Sequence, residues 1–316
     1  MSSNPSQADG FAAAPVSAVL VAGAPVSFGV FELTSSDTPI ALPDGETVME
    51  ILARTGYDGI DLGPRGYLDA SGDLDARLLA HRLALSGGWI DLPLSDDDAY
   101  ERAIPELEQA ISIFGTVQSG PIPPRPTLAD AGDDIRHAHP GAAPEHRLDD
   151  AGWSRFSRNL ADAADRVRAH GYEPTFHHHA GTFVETPDEI DRMLSVSDVD
   201  ITLDTGHLLI GGGEPAEAWS RWGSRINHIH LKDVRRDRLR SIVAAGGGMI
   251  DVCSGGTFVP LGDGDLDLDS FMTGMTDAEF AGWLVIEQDI FPTAGYDLAR
   301  IEDEHLRNRE ALRRWV

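Results

Sequence analysis

Four short apolar runs in this chain each end in histidine, aspartate or glutamate. That recurrence restricts the fold more than any other feature of the sequence. The runs are Thr175-Phe-His-His-His179, Ile201-Thr-Leu-Asp204, Ile226-Asn-His-Ile-His230 and Trp283-Leu-Val-Ile-Glu287. Each reads as a short strand buried on both faces, the pattern of a parallel sheet. A parallel barrel gathers the C-terminal ends of its strands at one face. Imidazoles and carboxylates carried on four such ends would surround a divalent cation.

The rest of the chain supplies the alternation that such a barrel needs. Strand-like segments fall at 18–23, 57–63, 83–89, 114–119, 173–177, 200–203, 226–230 and 283–287. Helical periodicity occupies 47–55, 73–82, 96–113, 150–170, 186–196, 214–222, 267–275 and 298–315. Thr186-Pro-Asp-Glu189 is a helix start, with Thr as N-cap, Pro at the first turn and Glu closing a capping box. Eight strand–helix alternations predict an α/β fold, a single (β/α)8 TIM barrel. The catalytic domain is expected over 15–316, after a flexible tail at 1–14. Two insertions, 120–149 and 234–265, lack periodicity and read as excursions on the barrel's upper face, either lids or flexible loops.

With 316 residues, one barrel accounts for the whole chain. A formal charge of −27 repels phosphate backbones and anionic lipid, so no nucleic acid and no membrane partner is expected. No run reaches the roughly 18 apolar residues of a spanning helix. The N-terminus lacks the basic start of a signal peptide, and the single cysteine, Cys253, fits a reducing compartment. The expectation is a cytoplasmic protein, homodimer or homotetramer, acting on a small-molecule polyol or sugar.

Asp204 and His207 stand three apart across a turn that Gly206 allows. The carboxylate is a hard ligand suited to a divalent cation; the plain alternative is that Asp204 caps the next helix. His228 and His230 alternate on one strand and so face one side. One binds metal while the other packs below it or meets substrate. Lys232 is in phase with His230 and sits at the mouth, to polarise a substrate oxygen or simply to be solvated. Glu287 closes an apolar run, where a carboxylate is costly unless paired or bound to a cation. Gln288 and Asp289 are weaker candidates. In the histidine triplet, alternation sends His178 away from the other two, as a structural residue. His177 is taken as the metal ligand and His179 as the group for substrate contact or proton transfer, with exchange of those roles left open. The expected cofactor is a divalent metal, Mn²⁺ foremost, with Co²⁺, Zn²⁺, Fe²⁺ or Mg²⁺ compatible. Gly262-Asp-Gly-Asp265 lacks the spacing of a calcium loop and reads as a turn.

From Ala24 onward the chain resembles the xylose-isomerase-like barrel superfamily of sugar isomerases, epimerases and dehydratases, and within it the inosose dehydratase branch. The resemblance is carried by Ala24-Pro-Val-Ser-Phe-Gly29, Leu62-Gly-Pro-Arg-Gly-Tyr67, Ser86-Gly-Gly88, His177-His-His-Ala-Gly-Thr182, Leu203-Asp-Thr-Gly-His207, His228-Ile-His-Leu-Lys-Asp-Val-Arg235 and Pro260-Leu-Gly-Asp-Gly-Asp265. It implies metal-ligand positions at Asp204, His230 and Glu287. His177 stands where the epimerases usually carry a glutamate. Those enzymes use paired glutamates as opposed acid and base, so keeping only Glu287 points to elimination rather than epimerisation. Phe28-Gly-Val-Phe-Glu32 replaces the Trp-Thr-Asn that follows the first strand in the dehydratases. The implied activity is dehydration of a cyclic polyol ketone. His179, Lys232 or Glu287 would serve as base, and His207 would assist loss of the hydroxyl. The alternatives are a sugar or sugar-phosphate isomerase or epimerase, a lyase of an oxidised (3-keto) glycoside, and a non-catalytic sugar-binding barrel.

Overall fold

The computed structural model describes residues 19–31, 40–118, 120–141 and 146–316. The expected tail at 1–14 lies outside them. The strands are β1 (Val19–Gly23), β2 (Gly59–Ile60), β3 (Ala84–Leu85 and Gly87–Leu92), β4 (Arg125–Asp130), β5 (Thr175–His177), β6 (Ile201–Asp204), β7 (Ile226–Leu231) and β8 (Gly282–Ile286). All neighbours pair in parallel, and β1 meets β8 to bring the chain's two ends together. β3 is broken at Ser86. Its first piece pairs with β2 and its second with β4. The Ser86 N–H donates to the Ile60 carbonyl and Leu62 N–H to the Gly87 carbonyl, both at 3.0 Å, so the ring closes through the break. The two glycines are what the crowding there requires. A Cβ on Gly87 would lie 2.8 Å from the Arg125 carbonyl oxygen, and one on Gly88 would lie 2.8 Å from Leu62 Cβ. This is the single (β/α)8 TIM barrel that the alternation predicts.

Trp283, Leu284, Val285 and Ile286 are all buried, as continuous apolar parallel strands should be. Helices cover the outside. Thr186 caps Pro187–Val196 in the expected capping box with Glu189. Trp222 and Trp283 belong to the core.

One strand lies elsewhere than the sequence indicates. Phe114 does not open a strand at 114–119; it is the last residue of the helix Asp97–Phe114. Leu107, Ile111 and Phe114 recur at helical spacing and are all buried, so the helical face claims the apolar residues. The fourth strand is Arg125–Asp130, inside the segment read as irregular. Its Pro126 and its closing Asp130 hid it. The proline is tolerated because pairing with β5 begins only at Thr127.

The second insertion is also ordered. It holds helices Arg236–Ala244 and Met249–Ser254, and a two-stranded ribbon of Asp233–Val234 with Phe258–Val259. The 262–265 turn is explained by Asp233. Its carboxylate accepts N–H groups from Val234, Gly262, Gly264 and Leu266 at 2.8 to 3.0 Å. A Cβ on Gly264 would sit 2.2 Å from an Asp233 carboxylate oxygen. Gly264→Ala is therefore expected to lower stability by about 1–3 kcal/mol, measured by urea unfolding. Asp233→Ala should cost a similar amount, and the pair should be strongly non-additive. Unchanged midpoints would remove this carboxylate from the turn.

Candidate active site

The strand ends converge at the C-terminal face. His177 ends β5, Asp204 ends β6, His230 lies near the end of β7, and Glu287 follows β8. His177 Nε2 lies 3.3 Å from Asp204 Oδ2 and 3.1 Å from His230 Nδ1. His230 Nδ1 is 3.0 Å from Glu287 Oε2 and 3.8 Å from Asp204 Oδ2. All four side chains are buried. Atoms sharing one cation at bonds of about 2.1 Å stand roughly 3.0–3.5 Å apart. His177, Asp204 and His230 therefore form a group that fits a divalent ion, with Glu287 beside His230. Asp204 Oδ2 is buried with no directed hydrogen bond, as a ligand oxygen would be.

Lys232 Nζ reaches the same oxygens, 3.1 Å from Asp204 Oδ2 and 3.0 Å from Glu287 Oε2. It also meets Asp289 at 2.9 Å and His207 Nε2 at 3.1 Å. Burial disfavours its charge, but Asp204, Asp289 and Glu287 outweigh burial and hold the ammonium well above the ordinary lysine range. Burial would likewise raise Asp204 and Glu287. Lys232 outweighs it at Asp204, and His230 and Lys232 at Glu287, so both stay ionised. Asp289 has the reverse balance: burial dominates and pushes its carboxyl up.

The three consecutive histidines separate as strand alternation requires. His178 turns away, and its Nε2 accepts the Asp204 N–H at 3.2 Å, buttressing the ligand strand. Burial drives it down to about 3, so it is neutral. His179 lines the cavity. Its Nδ1 is 2.7 Å from the Ala180 carbonyl, which makes Nδ1 the protonated nitrogen and leaves Nε2 with a lone pair. Burial keeps this imidazole neutral. Trp89 stands edge-on to His177 and His179, with ring centroids 5.2 Å away in each case.

His207 does not reach the cavity. It is fully buried behind His179, their ring centroids 3.7 Å apart, and its Nε2 faces Asp289 at 3.2 Å. Burial and Lys232 hold it neutral. It therefore cannot hand a proton directly to a bound molecule, and the expected acid role does not fit its place. Asp204 also caps the helix after it, through His207 N–H at 2.8 Å. The capping reading of Asp204 is thus met by Oδ1, while Oδ2 faces His177 and His230.

His228 packs below His230, ring centroids 5.3 Å apart, near Asp61. Burial raises Asp61 to about 6. Asp61 and Trp89, which the sequence does not single out, line the cavity, as does Asp289, a weaker candidate there. Asp61 directly follows β2 as Glu287 follows β8. Asp289 is in phase with Glu287 two residues on. Arg136, fully buried, ties the loop after β4 to the loop after β5. It donates to the Thr182 carbonyl at 2.7 Å and to Glu189 and Glu185 at 2.9 and 3.3 Å.

These elements enclose a cavity of about 530 Å³ over the ligand set. Residues 49–314 match the family described as xylose isomerase-like TIM barrel. The chain belongs to that family. It is 31% identical over 274 residues to the rhizopine catabolism protein MocC of Rhizobium meliloti, covering 85% of this chain and 80% of that one. It is 28% identical over 273 residues to the inosose dehydratase of Geobacillus kaustophilus (strain HTA426), covering 83% and 86%. Among solved structures, the IolI protein with a bound zinc atom superposes with a TM-score of 0.69 at 13% identity, over 94% of this chain and 99% of that one. These relatives support an enzyme of dehydratase or isomerase–epimerase type. No described helix is long and apolar enough to cross a membrane.

Proposed function

We propose that this chain is a metal-dependent hydro-lyase that dehydrates a cyclic polyol ketone, with scyllo-inosose as its simplest substrate. The reading is carried by His179, which lines the cavity with its Nδ1 held by the Ala180 carbonyl, beside a cluster in which Glu287 is the one glutamate. His177 occupies the place of the second carboxylate. His177, Asp204, His230 and Glu287 would hold the cation, with Mn²⁺ foremost. When bound, the cation supplies Lewis acidity that polarises the carbonyl and acidifies the neighbouring C–H.

His179 Nε2 then takes the α-proton. The C–H electron pair moves toward the carbonyl oxygen, where the Lys232 ammonium donates a hydrogen bond to the developing negative charge. The returning electron pair forms the C=C bond and expels the β-hydroxyl, which leaves as water with the proton carried by His179. One group thus removes and returns the proton, and the enol product tautomerises to a trihydroxycyclohexane dione. Asp289 and His207 hold Lys232 in place, and Trp89 fixes the His179 ring.

The test is ultraviolet absorbance of scyllo-inosose with manganese-loaded protein against a chelated control. Growth of dione absorbance only with metal is expected. An isomeric ketone formed without loss of water would overturn dehydration in favour of epimerisation.

A further inference from the structure

The cavity has two unlike parts. One is the polar floor already described. The other is mainly hydrocarbon: Val26, Val30 and Phe31 from the segment after β1, and Met249 and Ile250 from the helix Met249–Ser254, with Asp130, His137 and Thr182 elsewhere in the lining. This wall is built, not draped. The Ile290 N–H donates to the Val26 carbonyl at 3.4 Å, and the Tyr296 hydroxyl to the Phe28 carbonyl at 2.8 Å. Phe31 meets Phe291 edge-on, centroids 5.8 Å apart. On the other side, Met249 packs over Gly181, and Asp251 turns back to cap its own helix through Gly248 N–H. Ile250 lines the cavity yet is 50% exposed, an apolar side chain that no described residue covers.

A bare cyclitol ketone is a poor match for such a surface. It carries a hydroxyl on every carbon but one. With its carbonyl edge on the floor, its far hydroxyls face hydrocarbon, and each hydroxyl stripped of water without a partner weakens binding. The cavity volume also lies in the range that houses drug-sized ligands, more than one six-membered ring fills. We infer that the substrate is a polyol ketone bearing a hydrocarbon substituent, an alkyl or aryl ether, on the ring edge across from the carbonyl. Val26, Phe31, Met249 and Ile250 receive that substituent. The inference rests on the dehydratase reading for its chemistry, while the apolar subsite stands on the lining alone.

Two measurements separate those parts. The first is calorimetric binding of two unreactive polyols, scyllo-inositol and its mono-O-benzyl ether, to the manganese-loaded protein. The ether is expected to bind about tenfold tighter or better, and Ile250→Asp to erase most of that ratio. The second is kcat/KM for scyllo-inosose and for the same ketone benzylated across the ring. The ether should be favoured about tenfold, mainly through KM. Turnover of both ketones with no preference, and equal binding of the polyols, would overturn the substituent and leave dehydration standing. Tighter binding of the ether with neither ketone dehydrated would overturn the dehydratase reading and keep the apolar subsite. Weak, equal binding and no turnover would remove both.

Discussion

Glu287→Gln is expected to strip the protein of its cation and reduce turnover about a thousandfold or more. The substitution keeps shape and removes charge, so its effect isolates what the carboxylate does. Glu287 Oε2 is 3.0 Å from His230 Nδ1 and 3.0 Å from Lys232 Nζ, in a buried cluster. An amide there is a weaker ligand and a weaker partner for the ammonium. Loss of one charged ligand should lower metal affinity about a hundredfold or more, read as metal content after dialysis. The fall in kcat/KM should persist at saturating metal, because the electrostatics of the site change as well. Circular dichroism should stay unchanged, since Gln fills the same volume. Full activity with metal retained would overturn the place of Glu287 in the centre.

The barrel and most of the centre were legible because two different periodicities agreed. Apolar runs gave the strands, and the polar residue closing each run marked the upper face. His177, Asp204, His230, Lys232 and Glu287 all obey that rule, and the structure brings them together within hydrogen-bonding or ion-pair distance. Asp61 is hidden from that rule: the strand is only Gly59–Ile60, so Asp61 follows its end but falls inside the strand-like segment 57–63. The fourth strand was illegible for a physical reason. Arg125-Pro-Thr-Leu-Ala-Asp130 has little intrinsic β preference, and its extended form comes from pairing with Gly87–Leu92 on one side and Thr175–His177 on the other. His207 shows the opposite limit. The Asp-Thr-Gly-His spacing says that the imidazole is near the carboxylate, but the turn after β6 points it behind His179. Sequence spacing carries proximity and not direction.

Lys232→Met is expected to abolish turnover, weaken the metal-free protein and strengthen metal binding, all at once. The three signs follow from one position. The ammonium lies 2.9–3.1 Å from oxygens of Asp204, Glu287 and Asp289. Removing it leaves three buried carboxylates without their shared cation, which should cost about 3–5 kcal/mol of stability, read from denaturant unfolding in chelator. A divalent ion held by Asp204 and Glu287 would feel the same lysine as a like charge a few ångströms away. At an effective dielectric near 20, unit charges about 4 Å apart interact by about 4 kcal/mol. Deleting the lysine removes that repulsion, so metal affinity should rise about tenfold or more, and saturating metal should recover much of the lost stability. Turnover should still fall about a thousandfold, because the ammonium proposed to meet the developing charge on the substrate oxygen is gone. The informative result is the sign of the affinity change. If Lys232 instead serves the centre by orienting Asp204 and Glu287 through its hydrogen bonds, affinity falls in Lys232→Met along with activity, and the lysine is a support of the metal site rather than its electrostatic competitor.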